Sequence, residues 1–203
     1  MVELFSAPFV EAVSTMRNFA HLDDNQCAAL AQGGEGKAFS VLVARYQDRI
    51  YRFLLRLTRS PDDALELTQD TFLRAHQALD RWRADALFKT WLFRIARNSA
   101  FDRLRRDKLV EFVALEDDVE IPDSAAGPEA ILETAQRVRQ LEAALQALPA
   151  AQREILLLRE IEQMSYEEIA LVLDLNVGTV KSRIARARGA LLEQVKRQPE
   201  LSL

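Results

Sequence analysis

The chain has 203 residues, of which 49% are hydrophobic, and it contains only six glycines and six prolines. This composition predicts a globular, mainly helical protein of one large or two small domains rather than a disordered chain. The single cysteine, Cys27, excludes an internal disulfide, and the two histidines provide no set of zinc ligands, so we expect no metal and no other cofactor.

The net charge of −4 is distributed unevenly along the chain. Residues 37–108 carry sixteen basic and nine acidic side chains, and residues 134–203 carry ten basic and nine acidic ones. Residues 109–133, between them, carry eight acidic and no basic side chains. Two segments able to bind phosphate are therefore separated by an acidic connector. The net charge of the whole chain conceals this pattern.

Residues 1–22 are predicted to be an N-terminal extension. Apolar residues recur in it at helical spacing, at Phe5, Phe9, Val13 and Met16. This is consistent with a short amphipathic helix packed on its own domain, with disorder, or with a docking site for a partner. Acidic residues interrupt the apolar ones, so we expect neither a signal peptide nor membrane insertion, and we expect a cytoplasmic protein.

Residues 23–108 are predicted to form a helical domain. Apolar residues keep a helical period over residues 38–57. Pro61 then begins a second helix, predicted over residues 61–79, because the missing N–H of proline is not needed at a first helical position. A third helix is predicted from residue 88 to about residue 106.

Residues 80–98 interleave aromatic and basic side chains around the start of the third helix. One face of this helix is most simply core, whereas Phe93, Arg97 and Phe101 are predicted to be exposed on the other face. Aromatic rings stack on unpaired bases, and arginines bind the backbone of a separated strand. The pattern is consistent with binding to melted DNA, although packing or a protein interface also explains these rings.

Residues 109–132 are predicted to be a flexible acidic linker, because like charges are interspersed there with proline and glycine. The linker divides the chain into two helical domains, of which residues 133–203 form the second. The predicted fold class is therefore all-α, with two small domains.

The second domain contains a predicted helix-turn-helix. Ser165 and Glu168 fit a capping box at the start of one helix, and Asn176 fits the cap of a second helix after a tight turn. At about 100° per residue, one stripe of the second helix is apolar and is predicted to pack inward. Its residues are Val177, Val180, Ile184, Ala187 and Leu191.

The opposite face and its flanks carry small, hydrogen-bonding or basic residues. Such side chains suit the base edges and phosphates of a major groove. They are Gly178, Thr179, Lys181, Ser182, Arg183, Ala185, Arg186 and Arg188. The alternative is an ordinary amphipathic helix with a solvated basic side.

Four motifs together resemble those of a known family. They are Tyr46-Gln47-Asp48-Arg49-Ile50-Tyr51, Leu67-Thr68-Gln69-Asp70-Thr71-Phe72-Leu73-Arg74-Ala75, Phe88-Lys89-Thr90-Trp91-Leu92-Phe93-Arg94-Ile95-Ala96-Arg97-Asn98 and Val177-Gly178-Thr179-Val180-Lys181-Ser182-Arg183. Their order and spacing resemble those of bacterial sigma factors of the extracytoplasmic-function (ECF) type, in the sigma-70 family, over roughly residues 24–195.

The resemblance implies a subunit that is not an enzyme. Such a subunit binds core RNA polymerase, recognises the −10 and −35 elements of promoter DNA and directs transcription initiation of a specialised set of genes. An anti-sigma factor is a further partner expected from the resemblance. Residues 23–108 would correspond to sigma region 2 and residues 133–203 to sigma region 4.

The resemblance also implies roles for individual residues. The helix over residues 61–79 would bind the clamp coiled coil of the largest polymerase subunit through Asp63, Leu67, Gln69, Asp70 and Leu73. The −10 element would be bound by a base-capturing loop and the helix after it, through Trp82, Arg83, Ala84, Asp85, Phe93, Arg97 and Asn98. The −35 duplex would be read by Lys181, Ser182, Ala185 and Arg186. The chain departs from the family at Leu65, where an acidic residue is usual.

Two other classes of protein remain as alternatives. A stand-alone helix-turn-helix regulator explains residues 177–188 but leaves the aromatic and basic stretch after residue 80 unexplained. A helical interaction module with incidental basic faces explains neither. Only a sigma factor is expected to start RNA synthesis at a defined promoter when core polymerase is supplied.

Overall fold

The computed structural model describes residues 19, 21–83, 87–110 and 128–197, and it describes the side chains of all of these except 107–110 and 128–135. Within these ranges the chain is helical and has no strand, in agreement with the predicted all-α class. The α-helices are α1 (Asp24–Gln32), α2 (Gly36–Thr58), α3 (Pro61–Gln77), α4 (Phe88–Val110), α5 (Pro128–Gln146), α6 (Ala150–Leu156), α7 (Tyr166–Leu173) and α8 (Val177–Arg197).

The chain divides into two compact units. The N-terminal unit comprises the described residues up to Leu54 together with Asp62–Arg103. The C-terminal unit comprises Leu55–Pro61 together with the described residues from Leu104 onward. No helix in the described part of the chain combines the length and apolar character that a membrane span requires.

The acidic linker is shorter than predicted at both ends. Helix α4 continues to Val110, and α5 begins at Pro128, so residues 109–110 and 128–132 are helical rather than linker. Pro128 lies within the predicted linker, but proline is well suited to the first position of a helix because its missing N–H is not needed there. Residues 111–127 and the predicted helix of the N-terminal extension lie outside the described residues.

Helices α2 and α3 confirm the predicted periodicity. The inward stripe of α2 is buried at Leu42, Tyr46, Ile50 and Phe53. Helix α3 begins at Pro61 as predicted, buries Ala64, Leu67, Thr68, Phe72 and Ala75, and ends at Gln77, ahead of a 3₁₀ turn over Leu79–Arg81. Asp62 and Asp63 stand in its first turn, where the helix dipole favours negative charge.

The buried surface of α4 is wider than predicted and includes Phe93, which corrects the prediction that this side chain is exposed. The Phe93 side chain is fully buried and meets the Phe53 ring edge to face, with ring centroids 5.3 Å apart. On the face that was predicted to be core, Phe88 and Leu92 are fully buried. Periodicity identified the stripe that contains Phe93 but not the fact that this ring is covered, whereas Arg97 and Phe101 on the same stripe are half-buried.

The C-terminal unit contains the predicted helix-turn-helix. Ser165 Oγ accepts a hydrogen bond from the Glu168 N–H at 3.0 Å, and the Glu168 carboxylate accepts one from the Ser165 N–H at 2.7 Å, which confirms the capping box. Helix α7 ends at Leu173 and is capped by Asp174, which has a left-handed backbone (φ 55°, ψ 53°) and whose N–H bonds the Ala170 carbonyl. This tight turn leads into α8.

Candidate nucleic-acid and polymerase-binding surfaces

Helix α8 is oriented by its cap and by its apolar stripe. Asn176 Oδ1 accepts a hydrogen bond from the Thr179 N–H at 2.7 Å, as predicted for an N-cap. The middle of the predicted stripe, Val180, Ile184 and Ala187, is buried, and its ends, Val177 and Leu191, are half-buried. The stripe therefore fixes which face of α8 is turned away from the core.

The residues predicted to face DNA all lie on the outer side of α8. Thr179 is half-buried, and the others are exposed: Gly178, Lys181, Ser182, Arg183, Ala185, Arg186 and Arg188. Gly178 and Ala185 add little bulk, which leaves room for close approach of a duplex. Small side chains occupy the centre of the surface and basic side chains surround it, as expected for a helix that enters a major groove.

Local hydrogen bonds orient two of the side chains on this surface. Ser182 Oγ donates to the Thr179 carbonyl at 3.0 Å, and Arg186 Nε donates to the Ser182 carbonyl at 3.4 Å. These Arg186 contacts are long and exposed, so the guanidinium can exchange them for a base edge. The Lys181 ammonium lies 5.5 Å from the centre of the Tyr166 ring on α7.

Arg188 differs from Lys181, Arg183 and Arg186 because its guanidinium makes two short hydrogen bonds to a carboxylate. Its Nη2 and Nε donate to Glu160 Oε1 at 2.6 and 2.9 Å, and this hydrogen bond raises the pKa of Arg188. Glu160 lies in the π-helical turn Leu157–Ile161 that follows α6. Sequence reasoning did not identify this pair, because its members are 28 positions apart.

The residues predicted to bind the −10 element divide into exposed and buried groups. Arg83 and Asn98 are exposed, and Arg97 is half-buried, with its guanidinium 4.7 Å above the Phe101 ring and 3.1 Å from Asn98 Oδ1. Trp82 is only 3% exposed, and Phe93 is buried as described above. Ala84 and Asp85 lie outside the described residues.

An aromatic cluster underlies this region. The Phe88 ring is in contact with three others, with centroid separations of 6.3 Å to Trp82, 6.0 Å to Tyr46 and 5.7 Å to Trp91. Trp82 and Phe88 flank the proposed base-capturing loop, and both of their side chains belong to the core. Both rings therefore pack beneath the surface rather than on it.

Two side chains of α1 that were not predicted as site residues lie against the same region. Gln32 Nε2 lies 3.1 Å from each of three backbone carbonyl oxygens, those of Leu79, Asp80 and Trp82. Asn25 Oδ1 accepts a hydrogen bond from the Phe88 N–H at 2.8 Å. No signal in the sequence marks these contacts, because the partners are 47 to 63 positions apart.

The predicted polymerase-binding residues of α3 are only partly exposed. Gln69 and Leu73 are exposed, whereas Leu67 is buried in the core, so the expectation that it is available for contact is wrong. Asp63 is half-buried and paired with Arg103, and Asp70 pairs with Arg74 at 2.8 Å. The physical reason is the helical period, which places Leu67 on the inward stripe.

Helix α3 nevertheless presents an apolar stripe to the outside. Leu65 and Leu73 are 55% and 56% exposed, and Gln69 lies between them at the spacing of one turn. A groove of about 580 Å³ between α2 and α3 adjoins this stripe. Its lining residues are Val43, Gln47, Asp48, Tyr51, Leu65, Thr68, Gln69 and Phe72. Together they form an open surface with apolar and hydrogen-bonding character.

The fold and these surfaces define a two-domain helical protein with a helix-turn-helix of the DNA-binding type. Two family models match the chain, Sigma-70 region 2 over residues 42–109 and Sigma-70, region 4 over residues 138–191. The chain belongs to the sigma-70 family, and within it to the ECF RNA polymerase sigma factors, which are transcription initiation factors.

Similar proteins extend over nearly the whole chain. The RNA polymerase sigma-H factor of Pseudomonas aeruginosa is 37% identical over 83% of this chain and 91% of its own length. The ECF RNA polymerase sigma-E factor of Salmonella typhimurium is 36% identical over 86% of this chain and 95% of its own length.

Two solved structures have a similar fold. The sigma factor RpoE in complex with the anti-sigma factor NepR from Bartonella quintana has a TM-score of 0.67 and 28% identity, over 80% of this chain and 99% of that chain. CnrH in complex with the cytosolic domain of CnrY has a TM-score of 0.63 and 34% identity, over 85% of this chain and 97% of that chain.

Proposed function

We propose that the two units of this sigma factor divide promoter recognition between them. The C-terminal unit reads the −35 duplex with the outer face of α8, and the N-terminal unit binds core RNA polymerase with α3 and the −10 element with the surface around Arg83, Arg97 and Asn98. The observation that carries the proposal is the orientation of α8, whose buried stripe leaves the residues predicted to face DNA on the outer side.

On the −35 element, the side chains of α8 have separate tasks. Arg186 reads a base, since a guanidinium is suited to two hydrogen bonds with the O6 and N7 atoms of guanine. Lys181 and Arg183 bind phosphates, which fixes the register of the helix in the groove. Ser182 and Thr179 add hydrogen-bonding groups, and Gly178 and Ala185 permit close approach.

On the −10 element, the exposed side chains make the contacts and the buried aromatic ones support them. Arg83, Arg97 and Asn98 bind the backbone and base edges of the separated strand. The resemblance adds Ala84 and Asp85 to this set. Trp82 and Phe93 act from the core, because a ring that is almost wholly buried cannot stack on a base without leaving its present position.

On α3, the exposed stripe supports a contact with a helical partner. Leu65 and Leu73 offer apolar area, Gln69 offers hydrogen bonds, and Asp70 supplies charge at the rim. Such a mixture suits a basic, partly apolar helix such as the clamp coiled coil that the resemblance implies. Leu65, where the family usually carries an acidic residue, contributes apolar contact instead of charge.

Control by an anti-sigma factor completes the proposal. The solved relatives are bound to NepR, an anti-sigma factor, and to the cytosolic domain of CnrY. We infer that a protein of this kind holds the present chain inactive, that the chain acts in the cytoplasm, and that it has no enzymatic activity of its own.

Reconstitution with core RNA polymerase tests the proposal. Templates come from the transcripts that appear when the protein is overproduced. The full chain is expected to co-elute with core polymerase and to start RNA at those promoters, but to bind the promoter duplex weakly alone, because tethering to the polymerase raises the effective concentration of each reader. Failure to co-elute, or to start RNA, rejects the proposal.

A matched pair of variants locates the polymerase contact. Leu65→Ser/Leu73→Ser is expected to weaken binding to core polymerase by about tenfold or more, since burying one leucine is worth roughly 1.5–3 kcal/mol. Leu30→Ser removes an exposed leucine from α1 and is expected to bind as the wild type does. Equal loss in both variants would count against the α3 surface.

A further inference from the structure

We propose that α1 is a positioning helix for the −10 reader, in which Asn25 and Gln32 hold the two described ends of the loop between Trp82 and Phe88. The inference rests on the −10 role proposed above. It assigns a task to a helix that precedes the region 2 match, which begins at residue 42.

At the first end of the loop, the Gln32 side chain donates to three backbone carbonyl groups. The oxygens of Leu79, Asp80 and Trp82 all lie 3.1 Å from Nε2 of this one side chain. They belong to the 3₁₀ turn that follows α3 and to its cap residue. An amide carries only two N–H groups, so they are shared among the three oxygens, and the backbone is fixed at its exit from the turn.

At the second end, Asn25 binds the first N–H of α4. Phe88 is the first residue of α4, and the N–H of a first helical residue has no acceptor within its own helix. Asn25 Oδ1 accepts from this N–H at 2.8 Å, although Asn25 lies 63 positions away in the chain. A side chain from another element thus satisfies one of the N–H groups that the start of a helix leaves without an intrahelical partner.

The two anchors are held at a fixed separation. Asn25 and Gln32 are seven positions apart on α1, which places them on one face, two turns apart, or about 10 Å along the axis. A single rigid helix therefore sets the distance between the points at which the loop leaves and rejoins the domain.

Helix α1 is itself fastened to α2. Asp24 pairs with Arg45 at 2.8 Å and accepts a hydrogen bond from the Tyr46 hydroxyl, and Arg45 also donates to the Leu22 carbonyl at 3.0 Å. The buried side chains of Cys27 and Ala28 complete the contact of α1 with the core. The anchors are thus fixed with respect to α2.

Side-chain packing fixes the same two ends a second time. The rings of Trp82 and Phe88 meet edge to face, and Phe88 also meets Tyr46 of α2. With both ends held through backbone and side chain, a reader of flipped bases loses less conformational entropy on binding. Removal of an α1 anchor is therefore expected to weaken base capture more than it weakens other DNA contacts.

The fluorescence of Trp82 tests the anchoring without DNA. The chain has two tryptophans, so Trp91→Phe leaves Trp82 as the only one. In that background, Gln32→Glu keeps the side-chain shape but places a carboxylate against three carbonyl oxygens. The acrylamide quenching constant is expected to rise several-fold. Gln77→Glu, the same change at the exposed end of α3, is expected to leave quenching unchanged.

Strand binding by the holoenzyme tests the positioning role. The ratio of affinities for an intact −10 strand and for one with an abasic site at the captured position is expected to fall about tenfold in Gln32→Glu and in Asn25→Ala. Asn25→Asp keeps an acceptor for the Phe88 N–H and is expected to retain the wild-type ratio. A purely structural loss of stability would weaken both strands and leave the ratio unchanged.

The outcomes separate this inference from the −10 role on which it rests. If the wild type distinguishes the two strands and a folded Asn25→Ala or Gln32→Glu variant does so equally well, α1 is not a positioning helix. If Gln32→Glu does not fold, the comparison of Asn25→Ala with Asn25→Asp tests the positioning role instead. If the wild type binds both strands equally, the −10 role is rejected, and the positioning role with it, even where the quenching shows that α1 anchors Trp82.

Discussion

The guanidinium of Arg188, on the helix proposed to read the −35 element, is bound to the carboxylate of Glu160, with Nη2 2.6 Å from Oε1. Both side chains are about half exposed, at 53% and 47%. A phosphate that binds Arg188 must therefore compete with Glu160 or share the guanidinium with it. We therefore expect Glu160 to lower the net contribution of Arg188 to DNA binding.

Replacement of Glu160 by Gln is expected to strengthen DNA binding by the holoenzyme. The freed Arg188 gains a phosphate contact, so affinity rises and the dependence of log K on log salt steepens by about 0.9 for the added contact. Fluorescence anisotropy of a −35 duplex over a series of salt concentrations measures the affinity and its salt dependence. Glu193→Gln removes a carboxylate near the end of α8 that pairs with Lys196 instead. An equal gain in both variants would point to a general charge effect.

Arg186→Ala is expected to relax the preference for one base at one −35 position. A bidentate contact between arginine and guanine discriminates by about 1–3 kcal/mol, whereas phosphate contacts carry no sequence information. Lys181→Ala is therefore expected to weaken binding to all −35 variants alike and to lower the salt dependence. Holoenzyme binding to a set of single-substitution −35 duplexes distinguishes the two patterns. A uniform loss in Arg186→Ala would reject its role as a base reader.

Local signals in the sequence predicted the helix-turn-helix well. The caps at Ser165 and Asn176 depend on residues three positions away, and the apolar stripe of α8 follows from the helical period. Both features can therefore be predicted from a short segment of sequence. Phe93 was predicted wrongly because the period of a helix shows its faces but not how many of them are covered. On the stripe of α4 that was predicted to be exposed, Phe93 is buried, whereas Arg97 and Phe101 are half-buried.

Contacts between distant residues could not be predicted. Gln32 reaches the Trp82 carbonyl across 50 positions, and Arg188 reaches Glu160 across 28. These side chains are polar residues of common type, and only the packing of α1 against the 3₁₀ turn, and of α8 beside the π-helical turn, brings them to their partners. The −10 surface was thus predicted as a region, but its supports were not.

The capping box at Ser165 is expected to stabilise the C-terminal unit measurably. Ser165→Ala removes the acceptor for the Glu168 N–H and is expected to cost about 1 kcal/mol of unfolding free energy. Ser165→Asp keeps an acceptor at the N-cap and is expected to remain close to the wild type. Urea unfolding followed by circular dichroism gives the midpoints. An Asp variant as unstable as the Ala variant would show that the cap is not the source of the effect.

Cys27 is expected to be chemically inert in the folded chain. Its side chain is fully buried, and burial raises the pKa of the thiol, although the nearby Arg45 guanidinium opposes this. A raised pKa lowers the thiolate fraction at any given pH, and the thiolate is the reactive species. Iodoacetamide at about pH 8 is therefore expected to label the native chain at least about tenfold more slowly than the chain unfolded in urea. Native labelling at the rate of the unfolded chain would show that Cys27 is accessible and would make a redox role for it plausible.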